Sequence, residues 1–280
     1  MERTSPTNIN IDTISTDNLQ ELCCKIDAAT PKSVGYVNID YKTDKRMILV
    51  GMGDWHIGSK FVQYEKWESD LDFISKTPNV FVVLLGDYID GFGKRSVGGG
   101  LYDQYMTVPE ARKLVVAGLE KIKHKVIGIV DGCHDLWRKR IDGEIYANEL
   151  ASIIDKSVWL GNEGFINITN GSTTYKVLCR HKYDRYSSLN ICYGLRDYYL
   201  RRGEFDIAFG AHRHTPEIDI SYIKGKKVYT IRCGSYKITD GFLASKSYPP
   251  ALPIMPCVIL DNEKKEILPF TDVKEAIKYL

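Results

Sequence analysis

The chain has 280 residues, with 38 lysines and arginines against 36 aspartates and glutamates, seven cysteines and six histidines. Apolar residues make up 44% and charged residues 26%, a composition that excludes a mostly disordered chain. The length is ample for a sizeable hydrophobic core. The net charge of +2 excludes a polybasic or strongly acidic protein, so an anionic partner would have to meet a local basic patch.

Residues 1–34 are expected to form an appendage with a short helix near 16–26, and residues 35–280 a single domain. Five apolar, mostly β-branched runs predict strands at 47–52, 80–85, 126–130, 175–179 and 206–209. Amphipathic stretches predict helices near 63–75, 109–123 (with Thr107 as a cap), 144–154 and 187–201. Two hairpins are predicted in the tail, 218–223 with 227–232 and 256–260 with 266–269. This order predicts a mixed α/β sandwich with helices on the outside.

The terminal and apolar segments and the spacing of the cysteines indicate the cellular compartment. Apolar runs stay well short of the roughly 20 residues of a membrane span, and the amino-terminal segment MERTSPTNINIDT is polar, with no apolar signal-peptide core. The cysteines form no CxxC pair, which favours a reducing compartment over a disulfide framework. A cytoplasmic protein with no membrane partner is therefore expected.

Each of the five predicted strands ends in a polar turn. The residues concerned are Asp54 and His56, then Asp87 and Asp90, then Cys133, His134 and Asp135, then Arg180 and His181, and finally His212 and His214. Because α/β sheets place ligand sites at the carboxyl ends of strands, we expect these side chains to converge. Taken singly, each pattern is ordinary turn chemistry, but five in series, holding all histidines except His124, favour a metal centre.

The chemistry of these donor atoms limits which metal ions are expected to bind. Carboxylates and imidazoles together suit Mn, Fe, Zn or Ni better than Ca or Mg. Asp54 and His56 are two residues apart and project to the same side of an extended turn, so they can hold one ion together. The number of candidate ligands exceeds the four of a structural zinc site, which favours two ions that share a bridging carboxylate.

The order Asp-x-His, Gly-Asp-x-x-Asp, Gly-x-His-Asp, His and His-x-His, which runs from Asp54 to His214, resembles that of the calcineurin-like metallophosphoesterases. The turn Cys233-Gly234-Ser235 also resembles the Pro-Gly-Ser segment of that family. The resemblance implies an α/β (α+β) four-layer sandwich, in which two packed mixed β-sheets have helices on the outside. It also implies metal-dependent hydrolysis of phosphoesters by a water that two cations activate, without a Ser or Cys nucleophile.

Carried over by position, the resemblance implies two divalent metal ions, with Mn as the first choice and Zn, Fe or Ni as alternatives. The first ion would be held by Asp54, His56, Asp87 and His214, and the second by Asp87 as the bridge with Cys133, His181 and His212. His134 would be the proton donor or charge stabiliser beside the leaving group. Asp90 would orient His134 through its other nitrogen, and Asp135 is an alternative partner.

Two residues depart from the family pattern. Cys133 stands where the family has Asn, and sulfur binds metal as thiolate and prefers softer ions such as Zn. Three outcomes are open: Cys133 ligates Zn or Fe, it leaves the second site weakly filled, or it inactivates the centre. Gly91 stands where protein phosphatases place an Arg, which weakens a protein-phosphatase interpretation.

Basic and aromatic residues near the motifs bear on the substrate. Lys94, Arg95, Arg180 and Arg213 are candidate substrate-binding residues, and Trp55, Tyr88, Trp137 and Tyr183 could stack on bases. The alternative is solvated surface charge, with the aromatic rings packed beneath the motifs. The pattern favours a nuclease or phosphodiesterase acting on nucleic acid or a nucleotide, similar to phage and bacterial exonucleases. A phosphomonoesterase, acting on a nucleotide or a protein, and a metal-impaired scaffold protein are the alternatives.

Overall fold

The computed structural model describes residues 19, 20, 23, 37–92, 102–143, 145–185, 187, 189–247 and 249–280. The chain divides into Met1–Tyr36 and Val37–Leu280, and every element below belongs to the second unit. Most of the predicted appendage 1–34 lies outside the described residues, as do Lys94 and Arg95. The predicted boundary after residue 34 stays a prediction.

The described strands and helices follow the predicted order, with additions. The strands are β1 Val37–Thr43, β2 Met47–Met52, β3 Val80–Leu84, β4 Val126–Ile129, β5 Glu163–Asn170, β6 Thr173–Arg180, β7 Ile207–Gly210, β8 Glu217–Ile223, β9 Lys226–Arg232, β10 Cys257–Leu260 and β11 Ile267–Phe270. The α-helices are Tyr64–Lys76, Val108–Ile122, Cys133–Asp142, Tyr146–Ile154, Tyr193–Arg202, Gly241–Ser245 and Val273–Ala276. Short 3₁₀ turns occupy Lys123–Lys125, Lys156–Val158 and Ile277–Tyr279.

The strands form two mixed sheets, one in the order β1-β5-β6-β7-β9-β8 and the other in the order β11-β10-β2-β3-β4. In the five-stranded sheet β2, β3 and β4 run parallel, and in the six-stranded sheet β6, β7 and β9 run parallel. The predicted architecture of two packed mixed sheets with helices outside is confirmed. Parallel strands end at the same sheet edge, so the turns after them gather there.

The buried β2 shows how the layers form. Its six residues are all buried, and because strand side chains alternate between faces, they enter two different cores. Ile48 and Val50 pack in a core that includes Trp67 from the outer helix Tyr64–Lys76. The alternate residues of β2 enter a second core, between the sheets, where Phe209 of β7 lies. The helix Tyr193–Arg202 contacts β7 of the six-stranded sheet.

Two strands and three α-helices are additions to the predicted set, the helices being Cys133–Asp142, Gly241–Ser245 and Val273–Ala276. The strand β1 alternates between half-buried and exposed residues, and β5 is only partly buried at its far end, so neither forms the continuous apolar run used to find the other strands. The helix Cys133–Asp142 begins inside a predicted polar turn. The predicted helix at 187–201 begins only at Tyr193. Among the described residues, no helix combines the length and apolarity that a bilayer crossing requires.

Candidate metal centre

The turns after the parallel strands are joined by backbone hydrogen bonds. The amide of Asp54 donates to the carbonyl of Gly86 at 3.0 Å, and the amide of His56 donates to the carbonyl of Asp87, also at 3.0 Å. In the other sheet, the amide of Ala211 donates to the carbonyl of His181 at 2.9 Å. The candidate ligands are thus held on rigid backbone at the ends of four strands.

The backbone of five candidate ligands adopts the left-handed conformation. Their φ angles are 50° for Asp54, 49° for His56, 55° for Asp87, 74° for His212 and 57° for His214. Asp and His tolerate this region better than most residues but still adopt it uncommonly. Such conformations persist where the surroundings enforce them, and they concentrate at functional sites. The strain therefore marks these turns as built for their side chains.

Gly132 allows the turn after β4 to reach the turn after β3. A Cβ at Gly132 would lie 2.0 Å from the backbone nitrogen of Asp87, so only glycine fits. The carboxylate of Asp135 then accepts hydrogen bonds from the amides of Gly132 at 2.8 Å and Asp87 at 3.0 Å. Asp135 therefore caps the helix Cys133–Asp142 and joins the two turns. It does not act as the partner of His134 that the sequence offered as an alternative.

The first donor group contains Asp54, His56 and His214, whose ligand atoms lie within 4.8 Å of one another. The Nε2 atoms of His56 and His214 are 3.0 Å apart, and each lies 3.9 Å from Oδ1 of Asp54. The other carboxylate oxygen of Asp54 accepts a hydrogen bond from the amide of His212 at 2.8 Å. These three residues are those predicted to hold the first ion, together with Asp87.

The second donor group contains Cys133, His181 and His212, again within 4.8 Å of one another. His181 donates its Nδ1–H to the carbonyl of Leu85 at 2.7 Å, which leaves Nε2 as the electron-pair donor. That Nε2 lies 3.1 Å from Oδ2 of Asp87. The same Asp87 oxygen lies 4.0 Å from Nε2 of His56, so Asp87 stands between the two groups.

The donor atoms fit cations. Oδ1 of Asp54 and Nε2 of His181 are buried and have no hydrogen-bond partner, although a buried polar atom without a partner is costly. Burial, together with the charge of Asp87, raises the pKa of Asp54 to about 6. Burial also lowers the pKa of His212 to about 3, which keeps that imidazole neutral and its lone pair available. A cation would satisfy these groups together.

His134 and Asp90 lie beside the first group, but in a different contact from the predicted one. The carboxylate of Asp90 accepts the Nδ1–H of His56 at 2.9 Å. His134 uses its Nδ1 to contact the backbone carbonyl of Asp90 at 2.5 Å, and its Nδ1 is 4.0 Å from the carboxylate. The prediction that the Asp90 side chain orients His134 is therefore wrong: the backbone carbonyl does so, and the carboxylate orients His56. Burial lowers the pKa of His134 to about 4.

Lys237 is a part of the centre that the sequence does not reveal. Its side chain is only 2% exposed, and its ammonium lies 3.0 Å from Oδ1 of Asp90 and 2.8 Å from Oδ2 of Asp240. Gln104 also donates to Asp90, at 2.5 Å. Lys237 follows the Cys-Gly-Ser turn by two residues, and that position alone carried no signal. Its buried charge stabilises the carboxylate that orients His56.

We expect Lys237→Met to destabilise the fold by about 3–5 kcal/mol, because removing one member of a buried ion pair leaves the other charge uncompensated. Urea unfolding followed by circular dichroism measures the change. Lys76→Met is the matched control, since Lys76 pairs with Asp72 at the surface, and it should leave the unfolding midpoint nearly unchanged. Equal midpoints for the two variants would contradict the role assigned to Lys237.

Two of the candidate substrate-binding residues, Arg180 and Arg213, lie within the described part of the chain. The guanidinium of Arg180 contacts Glu163 at 2.5 Å and the hydroxyl of Tyr198 at 2.9 Å, and its Nε donates to the carbonyl of Lys182 at 2.5 Å. These contacts give Arg180 a role within the fold and do not support its predicted contact with substrate. Arg213 is half-buried between two candidate ligands in the sequence, and its predicted role stays a prediction.

The aromatic residues predicted to stack on bases are mostly buried. Trp55 and Tyr88 are fully buried and Tyr183 is 3% exposed, so they pack beneath the motifs and present no face to a substrate. Trp137 is half-buried and stacks on the ring of His134, with centroids 4.1 Å apart. Phe92 meets the same imidazole edge-on at 5.2 Å. Among the described residues, Trp137 and Phe92 are therefore the half-buried aromatic rings that contact His134.

Comparison with known proteins gives matches of structure. No protein-family model matches the chain, and no curated protein matches it significantly. A predicted phosphoesterase from Streptococcus pneumoniae TIGR4 is 14% identical, with 81% of this chain and 90% of that chain covered and a TM-score of 0.41. Vps29 from Entamoeba histolytica, complexed with Zn²⁺, is 15% identical, with coverages of 80% and 99% and a TM-score of 0.42. A metallophosphoesterase from Sphaerobacter thermophilus is 14% identical, with coverages of 83% and 92% and a TM-score of 0.36.

Proposed function

We propose that this chain is a calcineurin-like metallophosphoesterase that hydrolyses phosphodiesters of nucleic acid or nucleotides. The observation that carries the proposal is the arrangement of donors. There are two groups of three candidate ligands, and within each group the ligand atoms lie within 4.8 Å of one another. The carboxylate of Asp87 lies between the two groups. Both groups come from the turns that the order of motifs singles out.

Two divalent cations at these groups, with Mn as the first choice, would neutralise phosphoryl oxygens and activate a water for in-line attack at phosphorus. The protein's own contribution is to orient the donors. Asp90 fixes the tautomer of His56 by accepting its Nδ1–H, and the Leu85 carbonyl does the same for His181. Such outer partners hold ligand rings in place and raise their basicity.

His134 is proposed to serve the leaving group. Its Nδ1 is engaged by the carbonyl of Asp90, which leaves Nε2 for the substrate. Its backbone amide donates to Oδ1 of Asp87 at 2.8 Å, so the imidazole is anchored directly beside the bridging carboxylate. When the ring is protonated on both nitrogens, Nε2–H can give its proton to the departing alkoxide or stabilise the charge on it, and the ring is left neutral.

The surroundings of His134 support the proposed substrate class. The half-buried ring of Trp137 stacks on it, which offers an aromatic surface at which a base can stack. Lys139 is exposed on the helix that carries His134, and Lys182 is exposed directly after His181. A phosphodiester flanked by a base would use both features, whereas a small phosphomonoester would use the cations alone.

The alternative of a metal-impaired scaffold protein predicts that the metal-ligand residues are not retained. A protein that uses this fold only for binding has no need of paired cation groups. Here each of the seven predicted ligand residues belongs to a donor group within 4.8 Å. Retention of every ligand position of the family pattern except Cys133, which is itself a possible ligand, therefore favours an enzyme.

The test is turnover of bis(4-nitrophenyl) phosphate and of 4-nitrophenyl phosphate by the full chain, with Mn²⁺ and with EDTA. We expect faster turnover of the diester and loss of both activities in EDTA. A panel of single- and double-stranded DNA, RNA, cyclic nucleotides and a phosphopeptide then identifies the substrate class.

Three outcomes would contradict the proposal in different ways. Faster turnover of the monoester, or cleavage of the phosphopeptide alone, would favour a phosphomonoesterase. Two bound cations without turnover of any substrate would favour the scaffold. Turnover that persists after exhaustive metal removal would reject metal-dependent chemistry.

A further inference from the structure

We propose that the two cation groups bind different metals, with Cys133 acting as a thiolate ligand that makes the second group selective for a thiophilic ion such as Zn²⁺. The first group would retain preference for a harder ion such as Mn²⁺. This inference rests on the proposed function, because it assumes that both groups bind cations.

The placement of Cys133 supports a ligand role. Its Sγ belongs to a group with nitrogen atoms of His181 and His212, all within 4.8 Å of one another. Cys133 is also the first residue of the helix Cys133–Asp142 and directly follows Gly132, whose backbone packs against Asp87. Two imidazoles, one thiolate and the nearby carboxylate of Asp87 form the kind of mixed set that binds Zn²⁺.

His181 is placed to act as a ligand of the same group. Its side chain is 2% exposed, and Nε2 is buried without a hydrogen-bond partner. Because Nδ1–H donates to the carbonyl of Leu85, Nε2 is the ring nitrogen that faces Oδ2 of Asp87, at 3.1 Å. The two atoms at this separation share a proton when no cation is bound, and a divalent cation that binds both would replace that proton.

The remaining described cysteines in the domain behave differently. Cys179, Cys192, Cys233 and Cys257 are buried, and burial raises their thiol pKa values. Cys192 and Cys233 donate to backbone carbonyls. They act as small apolar residues of the core. Cys133 is half-buried and stands with two imidazoles, so its environment is that of a ligand.

The two groups therefore differ in donor chemistry. The first group offers a carboxylate and the imidazoles of His56 and His214, which suit harder or borderline ions. The second offers sulfur in place of one oxygen. Since thiolate selects Zn²⁺ over Mn²⁺, a protein given both metals should load them unequally, one kind in each group.

The test titrates metal-depleted full-length protein with Co²⁺, whose thiolate complexes absorb by sulfur-to-metal charge transfer. We expect this band in the wild type and in Cys23→Ser, the matched control, since Cys23 is an exposed thiol. We expect no band in Cys133→Ser, and Zn²⁺ should displace the band from the wild type. The affinity for Zn²⁺ should fall in Cys133→Ser by at least the roughly 10–100-fold that loss of an outer partner costs.

A second measurement needs no substitution. Zn²⁺ should slow alkylation of Cys133 in the native protein by iodoacetamide, with the site read by peptide mass spectrometry, whereas Mn²⁺ should not. Two bound cations with no charge-transfer band and no Zn²⁺ protection would overturn this inference and leave the proposed function standing. Failure of the wild type to bind any divalent ion would overturn the proposed function as well.

Discussion

His134→Ala is expected to lower turnover of a phosphodiester by about 10²–10⁴-fold, because it removes the proposed proton donor at the leaving group. The number of bound cations should not change. The contact that links this position to the bridging carboxylate is made by the backbone amide of His134 to Asp87, and alanine preserves it. Steady-state kinetics together with elemental analysis of the same preparation measure both quantities.

His124→Ala is the matched control, since His124 is exposed and lies in the 3₁₀ turn Lys123–Lys125, outside the centre. Its turnover and metal content should equal those of the wild type. If His134→Ala lost metal in proportion to activity, His134 would be a ligand and not the group that serves the leaving alkoxide.

Asp87→Asn is expected to lower occupancy of both cations together, and activity with them. The carboxylate of Asp87 lies between the groups, with Oδ2 3.1 Å from Nε2 of His181 and 4.0 Å from Nε2 of His56. An amide of the same shape keeps the hydrogen bond from the His134 amide but removes the negative charge. We expect the affinity for each ion to fall by roughly 10–100-fold or more, measured by calorimetric titration of Mn²⁺.

Two single-group variants provide the comparison. His214→Ala removes a donor of the first group only, and His212→Ala a donor of the second group only. Each should weaken one cation and leave the other bound. Loss of a single cation from Asp87→Asn would reject the bridging role and assign Asp87 to one group.

The fold and the ligand turns were predictable from the sequence for the same reason. Strands buried on both faces, such as β2 and β3, read as continuous apolar runs, and the polar residues after them stand out sharply. β1 alternates exposed and half-buried residues, and β5 is only partly buried, so the signal of these outer strands is weaker. The convergence of Asp54 with His214 depends on how the two sheets pack, because the strands that precede these residues belong to different sheets.

The partners of the donors were less predictable, because they depend on side-chain packing in three dimensions. A Lys at 237 is an ordinary surface residue by composition, and only the structure brings its ammonium to Asp90. The role of Asp90 depended on which of two imidazoles its carboxylate reaches. The helix at Cys133–Asp142 depended on the capping contact of Asp135, which sequence reasoning treated as part of a turn.

Each candidate cation group takes donors from both β-sheets. Asp54 and His56 follow β2 of the five-stranded sheet, whereas His214 follows β7 of the six-stranded sheet. The second group likewise joins Cys133, after β4, to His181, after β6. Cations held there would cross-link the two sheets of the sandwich. Such a cross-link between residues far apart in the chain reduces the conformational entropy of the unfolded state. Loss of metal would then loosen the packing of one sheet on the other and lower the free energy of unfolding of the whole domain.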